Sequence, residues 1–272
     1  ENEFKNLLKN LKIEKTVSGG SVANSIVGIS QLGNKVGFIG KISDDVFGSN
    51  YEQGLKKENV NYFYSKNKEK LPTGTCLILV TPDSERTMCT FLGIAGKIKD
   101  KDISADIIKK SEIIFLEGYL WDEGDAKKVF DKAIENANKV AMTLSDLFCV
   151  ERHKDQFLEL VKNKLDIVFA NEQEILSLIE SNSFKDVVNF SKTLNKNIII
   201  TRGAKGAVAI KNNEVFECEA ENNLEIVDLT GAGDLFAAGY LHGIINGMDV
   251  MDSLKQGTKL SAKIIQKFGA RI

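Results

Sequence analysis

The segment from Asp228 to Asp234 reads D-L-T-G-A-G-D and runs directly into an apolar pattern with helical period. The unpaired N–H groups of a first helical turn, with the positive end of the helix dipole, bind phosphate or a developing oxyanion. A carboxylate at Asp234 would accept the proton of an attacking hydroxyl beside that site. The segment therefore offers what phosphoryl transfer needs, with Asp234 as the base and Gly231, Ala232 and Gly233 as the anion hole. A tight turn in which Asp234 only caps the helix is the structural alternative.

Two common nucleotide-binding loops are excluded by the same sequence. A Rossmann G-x-G-x-x-G fingerprint that starts at Gly231 would require glycine where Phe236 stands. The sequence also contains no G-x-x-x-x-G-K-[ST] loop, which excludes a P-loop enzyme. An NAD-dependent oxidoreductase on a doubly wound sheet, one competing hypothesis, therefore lacks its dinucleotide loop.

The D-L-T-G-A-G-D segment resembles the C-terminal signature D-T-x-G-A-G-D of the ribokinase/PfkB family of carbohydrate and nucleoside kinases, with Leu229 in place of the threonine. The resemblance implies that Asp234 is the general base beside a Gly-Ala-Gly anion hole. It also implies ATP and Mg²⁺ as cofactors. In some relatives K⁺ activates the enzyme, which makes the Asp228 loop a candidate site for a monovalent cation.

A glycine-rich segment near the N-terminus matches the same family. Gly19, Gly20 and Asn24 form a G-G-x-x-x-N turn that resembles the family's substrate-binding turn. The glycines permit close approach of a ligand to the backbone, and the Asn24 amide both donates to and accepts from a sugar hydroxyl. A strand-to-helix turn with the asparagine inside the helix is the alternative. The G-x-x-G-x-x-x-D-D-x-x-G run that follows contains Asp44 and Asp45, which we predict to begin and cap a helix rather than to perform chemistry.

Two motifs in the second half complete the resemblance. Asn171 and Glu174 match the family's N-x-x-E motif, and this spacing predicts that they face one side of a first helical turn and hold magnesium-bound water near the nucleotide phosphates. A capping box would use the same two residues. Thr201, Gly203 and Gly206 resemble the family's ATP-binding T-x-G-x-x-G loop, for which a simple hairpin turn is the alternative.

Short β-branched or aromatic runs alternate with longer segments of helical period from about residue 35 onward, which predicts a sheet built from βα units. Strands are predicted at Val36–Ile39, Ile113–Leu116, Val140–Leu144, Ile167–Ala170, Ile198–Thr201 and Ala207–Ile210. Helices are predicted near 21–33, 46–58, 123–138, 153–163, 172–181, 184–194, 232–246 and 250–267. We therefore expect an α/β fold, a doubly wound and mostly parallel ribokinase-like sheet with helices on both faces. The motifs then lie at the C-terminal ends of strands and converge on one crevice.

A hairpin interrupts this alternation, because Thr75–Val80 and Arg86–Leu92 both read as strands. We predict that it forms a small β lid over the crevice. The chain is expected to be a single domain over residues 1–272, with lid segments at approximately 13–19 and 60–95. Exposed hairpin edges could pair with another subunit, which motivates the hypothesis of a homodimer through the lid.

The beginning of the sequence departs from the family pattern. Family members normally start with a strand of the type G-[NE]-x-x-x-D, whose aspartate binds substrate hydroxyls, and no such segment precedes Thr16. The N-terminal strand is thus absent from this sequence, and we expect that the sequence begins inside a longer chain.

Bulk composition excludes several other classes of protein. The 36 basic and 38 acidic side chains give a formal charge of −2, which creates no field that would gather nucleic acid or an anionic membrane. No apolar run approaches the roughly 20 residues that cross a bilayer, so a cytoplasmic protein is expected. Zinc-site spacing is absent, which predicts free thiols, mostly buried, at Cys76, Cys89, Cys149 and Cys218.

The resemblance implies an ATP-dependent kinase that phosphorylates a hydroxyl of a small sugar or nucleoside. Segments 117–122 and 144–150 look like a bacterial adenosine-kinase-like branch, which slightly favours an adenosine-like acceptor. A ribokinase- or fructokinase-type sugar kinase is the alternative, as is a non-catalytic sugar- or nucleotide-binding regulator on the same fold. The retained base at Asp234 argues against the regulator, because a pure binder has no need for it.

Overall fold

A computed structural model describes residues 6–9, 11–64, 70–81, 86–122 and 124–272 of the protein. The strands, in chain order, are β1 (Gly37–Phe38), β2 (Asn61–Tyr62), β3 (Thr75–Val80), β4 (Arg86–Phe91), β5 (Ile114–Glu117), β6 (Val140–Thr143), β7 (Ile167–Asn171), β8 (Asn197–Thr201), β9 (Ala207–Lys211) and β10 (Glu214–Cys218). The helices are α1 (Ser21–Gln31), α2 (Val46–Lys57), α3 (Ala105–Lys110), α4 (Ala126–Asn136), α5 (Leu147–Asn163), α6 (Glu172–Leu178), α7 (Phe184–Thr193), α8 (Ala232–Ile245) and α9 (Val250–Ile264).

A six-stranded sheet in the order β10-β9-β8-β7-β6-β5 lies at the centre of the fold. Strands β5 to β8 are parallel, whereas β9 and β10 continue the sheet antiparallel. Strands β6 to β9 are buried on both faces, which explains why they read as continuous apolar runs rather than as alternating ones. Ile198, Ile199 and Ile200 at the middle of β8 are fully buried, and each such side chain contributes roughly 1.5–3 kcal/mol.

Helices cover both faces of this sheet, as the doubly wound fold requires. Val168 and Ile198 pack into a core with helices α4 to α7. Their neighbours Phe169 and Ile199 point to the opposite side, into a core with α1, α8 and α9. The predicted α/β fold is therefore confirmed.

Helices α1 and α8 approach each other closely, which sets the geometry of the site. A Cβ on Gly28 of α1 would lie 2.8 Å from Leu235 Cδ1 and 2.9 Å from Ala238 Cβ, so a larger residue would push the helices apart. Helix α8 is apolar on nearly every side because it lies between α1, α9 and the sheet. The N-terminal ends of α1 and α8 are thereby held side by side.

The hairpin forms a two-stranded sheet of its own, in which β3 and β4 pair antiparallel with Ile78 opposite Met88. Its turn, residues 82–85, lies outside the described residues, as do residues 65–69 of the predicted lid. Apolar side chains of the hairpin are exposed, with Ile78 at 37%, Val80 at 39% and Met88 at 45% exposure. The predicted hairpin is confirmed, and its role as a lid stays a prediction.

Several predicted elements differ from the structure. Val36–Ile39 gives only the two-residue strand β1, which pairs in parallel with β2 outside the central sheet. Helix α5 begins at Leu147, six residues before the predicted start, because Asp146 caps it by accepting a hydrogen bond from the Cys149 N–H. The predicted 123–138 helix begins at Ala126, and Glu123 lies outside the described residues.

Asp45 caps α2 as predicted, by accepting a hydrogen bond from the Gly48 N–H at 2.7 Å. All four cysteines are free thiols, as predicted, but the expectation that most of them are buried is wrong. Cys149 is buried, Cys89 and Cys218 are partly exposed, and Cys76 is exposed. Among the described helices, none combines the length and the apolar character needed to span a bilayer.

Candidate active site

Asp234 lies in the first turn of α8 and is bound by two side chains of α1. Its Oδ1 accepts a hydrogen bond from Ser21 Oγ at 2.7 Å, and its Oδ2 accepts one from Asn24 Nδ2 at 2.9 Å. Both donors come from the helix start that Gly28 holds against α8. The carboxylate is thus oriented by two neutral donors.

The loop before α8 requires glycine at one position. Gly231 adopts φ 82°, and a Cβ there would lie 2.7 Å from Ala270 Cβ. The Ala232 N–H donates to the Leu229 carbonyl at 3.2 Å and closes the turn. Gly233, next along, faces open space where a Cβ would be. An anion can therefore approach the start of α8 at Gly233, beside Asp234.

Asp228 holds this loop against the segment that follows α9. Its Oδ1 accepts from the Thr230 N–H at 2.8 Å and its Oδ2 from the Gly269 N–H at 2.9 Å. The Thr230 hydroxyl is buried and has no hydrogen-bond partner in the described structure. A buried hydroxyl without a partner costs free energy, so its position at the start of α8 fits a ligand that brings oxygen atoms, such as a phosphoryl group. The role of Asp228 in binding a monovalent cation stays a prediction.

Glu117, at the end of β5, is a site residue that the sequence did not indicate. The backbone N–H groups of Ser21 and Val22 donate to its carboxylate at the start of α1. Burial, and next the charge of Asp234, raise the pKa of Glu117 to about 7. A carboxyl poised to change its protonation state near neutral pH thus lies beside Asp234.

Arg271 is the second residue that sequence reasoning missed. Its Nε donates to Asn24 Oδ1 at 3.1 Å, and its Nη2 donates to the Gly19 carbonyl at 3.2 Å. These contacts join residues 247 and 252 positions apart in the chain. Gly19 faces open space where a Cβ would be, and Gly20 adopts φ 97° at the start of α1.

Asn171 and Glu174 form the capping box that was the structural alternative. Asn171 Oδ1 accepts from the Glu174 N–H at 2.9 Å, and Glu174 Oε2 accepts from the Asn171 N–H at 3.0 Å. Glu174 is only 4% exposed, and this burial raises its pKa to about 7. A cation held nearby through water would favour the ionised form, and the magnesium role of the pair stays a prediction. No cluster of three metal-ligating side chains occurs among the residues that the structure describes.

Thr201 is the strand partner of Asn171, so these two motif residues end neighbouring strands. The loop after Thr201 is a tight turn in which the Arg202 N–H donates to the Gly206 carbonyl at 2.8 Å. Gly203 and Gly206 both have positive φ, 57° and 83°. The turn of the structural alternative is present, and an ATP-binding role for it stays a prediction.

One crevice of about 3290 Å³ collects most of the predicted residues. Its lining includes Gly19, Gly20, Asn24, Glu117, Asn171, Glu174, Thr201, Asp228, Gly231, Ala232, Gly233 and Asp234. Gly203 and Gly206 are not part of that lining. The convergence follows from the parallel register, since Glu117 pairs with Thr143 and Asn171 with Thr201 at the same edge of the sheet.

Comparisons with known proteins find similar proteins over most of this chain. The profile of the family described as pfkB family carbohydrate kinase matches residues 3–272. A 5-dehydro-2-deoxygluconokinase of Clostridium perfringens is 29% identical over 266 residues, which cover 91% of this chain and 78% of that protein. The crystal structure of adenosine kinase from Sinorhizobium meliloti matches with a TM-score of 0.96 and 32% identity, over 100% of this chain and 84% of that one. Adenosine kinase from Schistosoma mansoni, in complex with 2-fluoroadenosine, has the same fold, with a TM-score of 0.89 at 22% identity over 100% and 86% of the two chains.

Proposed function

We propose that this chain, which belongs to the pfkB family of carbohydrate kinases, transfers the γ-phosphoryl group of ATP to a hydroxyl of a nucleoside-like acceptor, with Asp234 as the base. The family identifies it as an ATP-dependent carbohydrate kinase. The observation that carries the proposal is the Asp234 carboxylate, which Ser21 and Asn24 hold at the open start of α8.

Each step of the transfer has a group in the crevice. Asp234 accepts the proton of the acceptor hydroxyl, whose oxygen forms a bond to the γ-phosphorus while the bond to the leaving oxygen of ADP breaks. The N–H groups at the start of α8 and the Thr230 hydroxyl face the charge that develops on the moving group. Asn171 and Glu174 are the residues that would hold Mg²⁺ through water, and the ion would then neutralise charge on the phosphates.

The acceptor class is inferred from the two kinds of surface in the crevice. Asn24, Glu117 and Asp234 are polar and suit the hydroxyls of a ribosyl group. Apolar side chains of the hairpin, such as Leu77 and Phe91, belong to the same lining. Phe148, in the first turn of α5, is 66% exposed and also lines the crevice. An exposed aromatic ring in a crevice supports an acceptor with a flat base more than a bare sugar.

A sugar acceptor is the second candidate, because the chain also resembles a kinase named for the sugar acid 5-dehydro-2-deoxygluconate. Measuring ADP release with adenosine, ribose, fructose and that sugar acid separates the two. We expect the largest kcat/KM with adenosine. A larger value with any of the three sugars would replace the nucleoside proposal by the sugar one.

The role of Asp234 is tested by Asp234→Asn, which removes the base at nearly constant volume. We expect turnover to fall by about 10²-fold to 10⁴-fold while ATP binding and the melting temperature are kept. Asp252→Asn, on the exposed side of α9, is the matched control and should leave turnover unchanged. Near-normal turnover in Asp234→Asn would remove the residue from the mechanism.

A further inference from the structure

Arg271 has a guanidinium group whose contacts point into the site rather than to solvent. Nε and Nη2 donate to Asn24 Oδ1 and to the Gly19 carbonyl at 3.1 and 3.2 Å. The guanidinium also lies beside the buried Tyr51 ring, with Cζ 5.9 Å from the ring centroid. A charged group in such a position is costly unless its donors are used, so these hydrogen bonds define its place.

The contact with Arg271 fixes which way the Asn24 amide points. A guanidinium has donors only, so it can bind the oxygen end of the amide but not the nitrogen end. Asn24 Nδ2 is thereby directed to Asp234 Oδ2 at 2.9 Å. A reversed amide would place its oxygen against the Asp234 carboxylate, which repels it. Arg271 therefore determines one of the two side-chain hydrogen bonds that orient Asp234.

The segment that ends in Arg271 also contacts the phosphate side of the site. The Val227 N–H donates to the Ile265 carbonyl at 2.8 Å. The Gly269 N–H donates to Asp228, and Ala270 packs against Gly231, as described above. One segment, residues 265–271, thus touches the loop before α8 and the glycine turn before α1.

We propose that Arg271 is a positioning residue that acts through Asn24 and couples the acceptor-binding turn to the loop that opens α8. It sets the direction of the Asn24 amide, the Gly19 carbonyl and, through the amide, the Asp234 carboxylate. The inference deepens the proposed function and rests on it only where turnover is measured.

The kinetic test compares Arg271→Met, Asn24→Ala and the double variant, with the acceptor that the wild-type enzyme uses. Losing a hydrogen bond from a charged donor should lower kcat/KM for the acceptor by about 10- to 100-fold in Arg271→Met. The KM for ATP should stay the same. If Arg271 acts through Asn24, adding Arg271→Met to Asn24→Ala should lower kcat/KM by less than about a further twofold. The proposal would be overturned if the fall in kcat/KM of the double variant equalled the product of the two single-variant falls.

Two more variants separate positioning from charge and from general stability. Arg271→Lys keeps the charge but loses the planar arrangement of donors. Compared with Arg271→Met, it should therefore recover less than about one tenth of the lost kcat/KM. Full activity in Arg271→Lys would contradict the proposal. Lys127→Met is the control for loss of a cation outside the crevice, since that ammonium group pairs with Asp131 on the exposed side of α4, and it should leave kcat/KM unchanged.

The orientation of the Asn24 amide can also be measured by NMR without any acceptor, independently of the proposed function. In ¹⁵N NMR spectra of the wild-type protein, the Asn24 side-chain amide should give two distinct and slowly exchanging N–H signals. In Arg271→Met these signals should exchange faster with water while the melting temperature is kept. Unchanged Asn24 signals in that variant would refute the positioning role, even if no acceptor were phosphorylated. Inactivity of the wild-type protein would refute only the proposed function.

Discussion

Glu117→Gln tests whether the carboxyl with the raised pKa takes part in acceptor binding. The substitution keeps the size of the side chain and one oxygen acceptor, and it removes the charge and the titration. In the wild-type protein burial and the neighbouring Asp234 raise the pKa of Glu117 to about 7. We expect the ionised form to accept a hydrogen bond from an acceptor hydroxyl more strongly than the protonated form does.

The size of the effect follows from the pKa of about 7. At that value about one tenth of the carboxyls are ionised at pH 6 and about nine tenths at pH 8. A hydrogen bond to a charged acceptor exceeds one to a neutral acceptor by about 1 kcal/mol, which corresponds to about fivefold in kcat/KM. Because some carboxyls are already ionised at pH 6, kcat/KM of the wild-type enzyme should rise by about threefold between these pH values. Glu117→Gln should lose this gain.

The assay measures kcat/KM for the acceptor by ADP release from pH 5.5 to 8.5 in both enzymes. The ratio of wild type to Glu117→Gln should be near one at pH 6 and about five at pH 8. Glu214→Gln, at an exposed position of β10, is the control and should follow the wild-type profile. A ratio that stays constant over this range, or that falls as the pH rises, would show that the ionised carboxylate does not bind the acceptor.

Three further predictions concern other groups of the site and the hairpin. Thr230→Val removes a buried hydroxyl without a partner, so it should raise the free energy of unfolding by about 1 kcal/mol while lowering turnover, whereas Thr230→Ser should keep turnover. Glu174 has a pKa of about 7 in the folded protein, above its ordinary 4.5. Its contribution to the free energy of unfolding is therefore present below pH 4.5 and is lost as the pH rises through 7. In urea unfolding, Glu174→Gln should lose less free energy of unfolding than the wild type over this pH range. If the exposed hairpin face joins two copies, light scattering should report a dimer for the wild type and a monomer for Met88→Glu, and a wild-type monomer would reject the homodimer.

Local spacing was sufficient to predict the start of α8. The Gly-Ala-Gly-Asp segment followed by an apolar helical pattern places the first helical residue at Ala232, where the structure has it. The buried strands β7 and β8 were predicted for a similar reason, because their apolar runs are short and bounded by polar residues. In both regions, the signal lies within about ten residues of the element that it predicts.

Sequence patterns were insufficient where the deciding interaction is distant or ambiguous. Val36–Ile39 reads as a strand, but periodicity does not tell which sheet a strand joins, and β1 pairs outside the central one. The helix near 153–163 was predicted to begin six residues too late, because Asp146 caps it and it begins at Leu147. Arg271 has no motif around it, since its function depends on Asn24, 247 positions away.

The two missed residues also explain how a pair of carboxylates can be tolerated at one end of the crevice. The charge of Asp234 repels a charge on Glu117, and burial also disfavours the ionised form of Glu117. The protein lowers this cost in two ways: Glu117 keeps a proton up to about pH 7, and the Arg271 cation lies within reach through Asn24. An acceptor with two hydroxyls can donate one hydrogen bond to each carboxylate, whereas a single hydroxyl can donate to only one of them. The pair of carboxylates therefore supports the proposed acceptor class, since a ribosyl group has neighbouring hydroxyls.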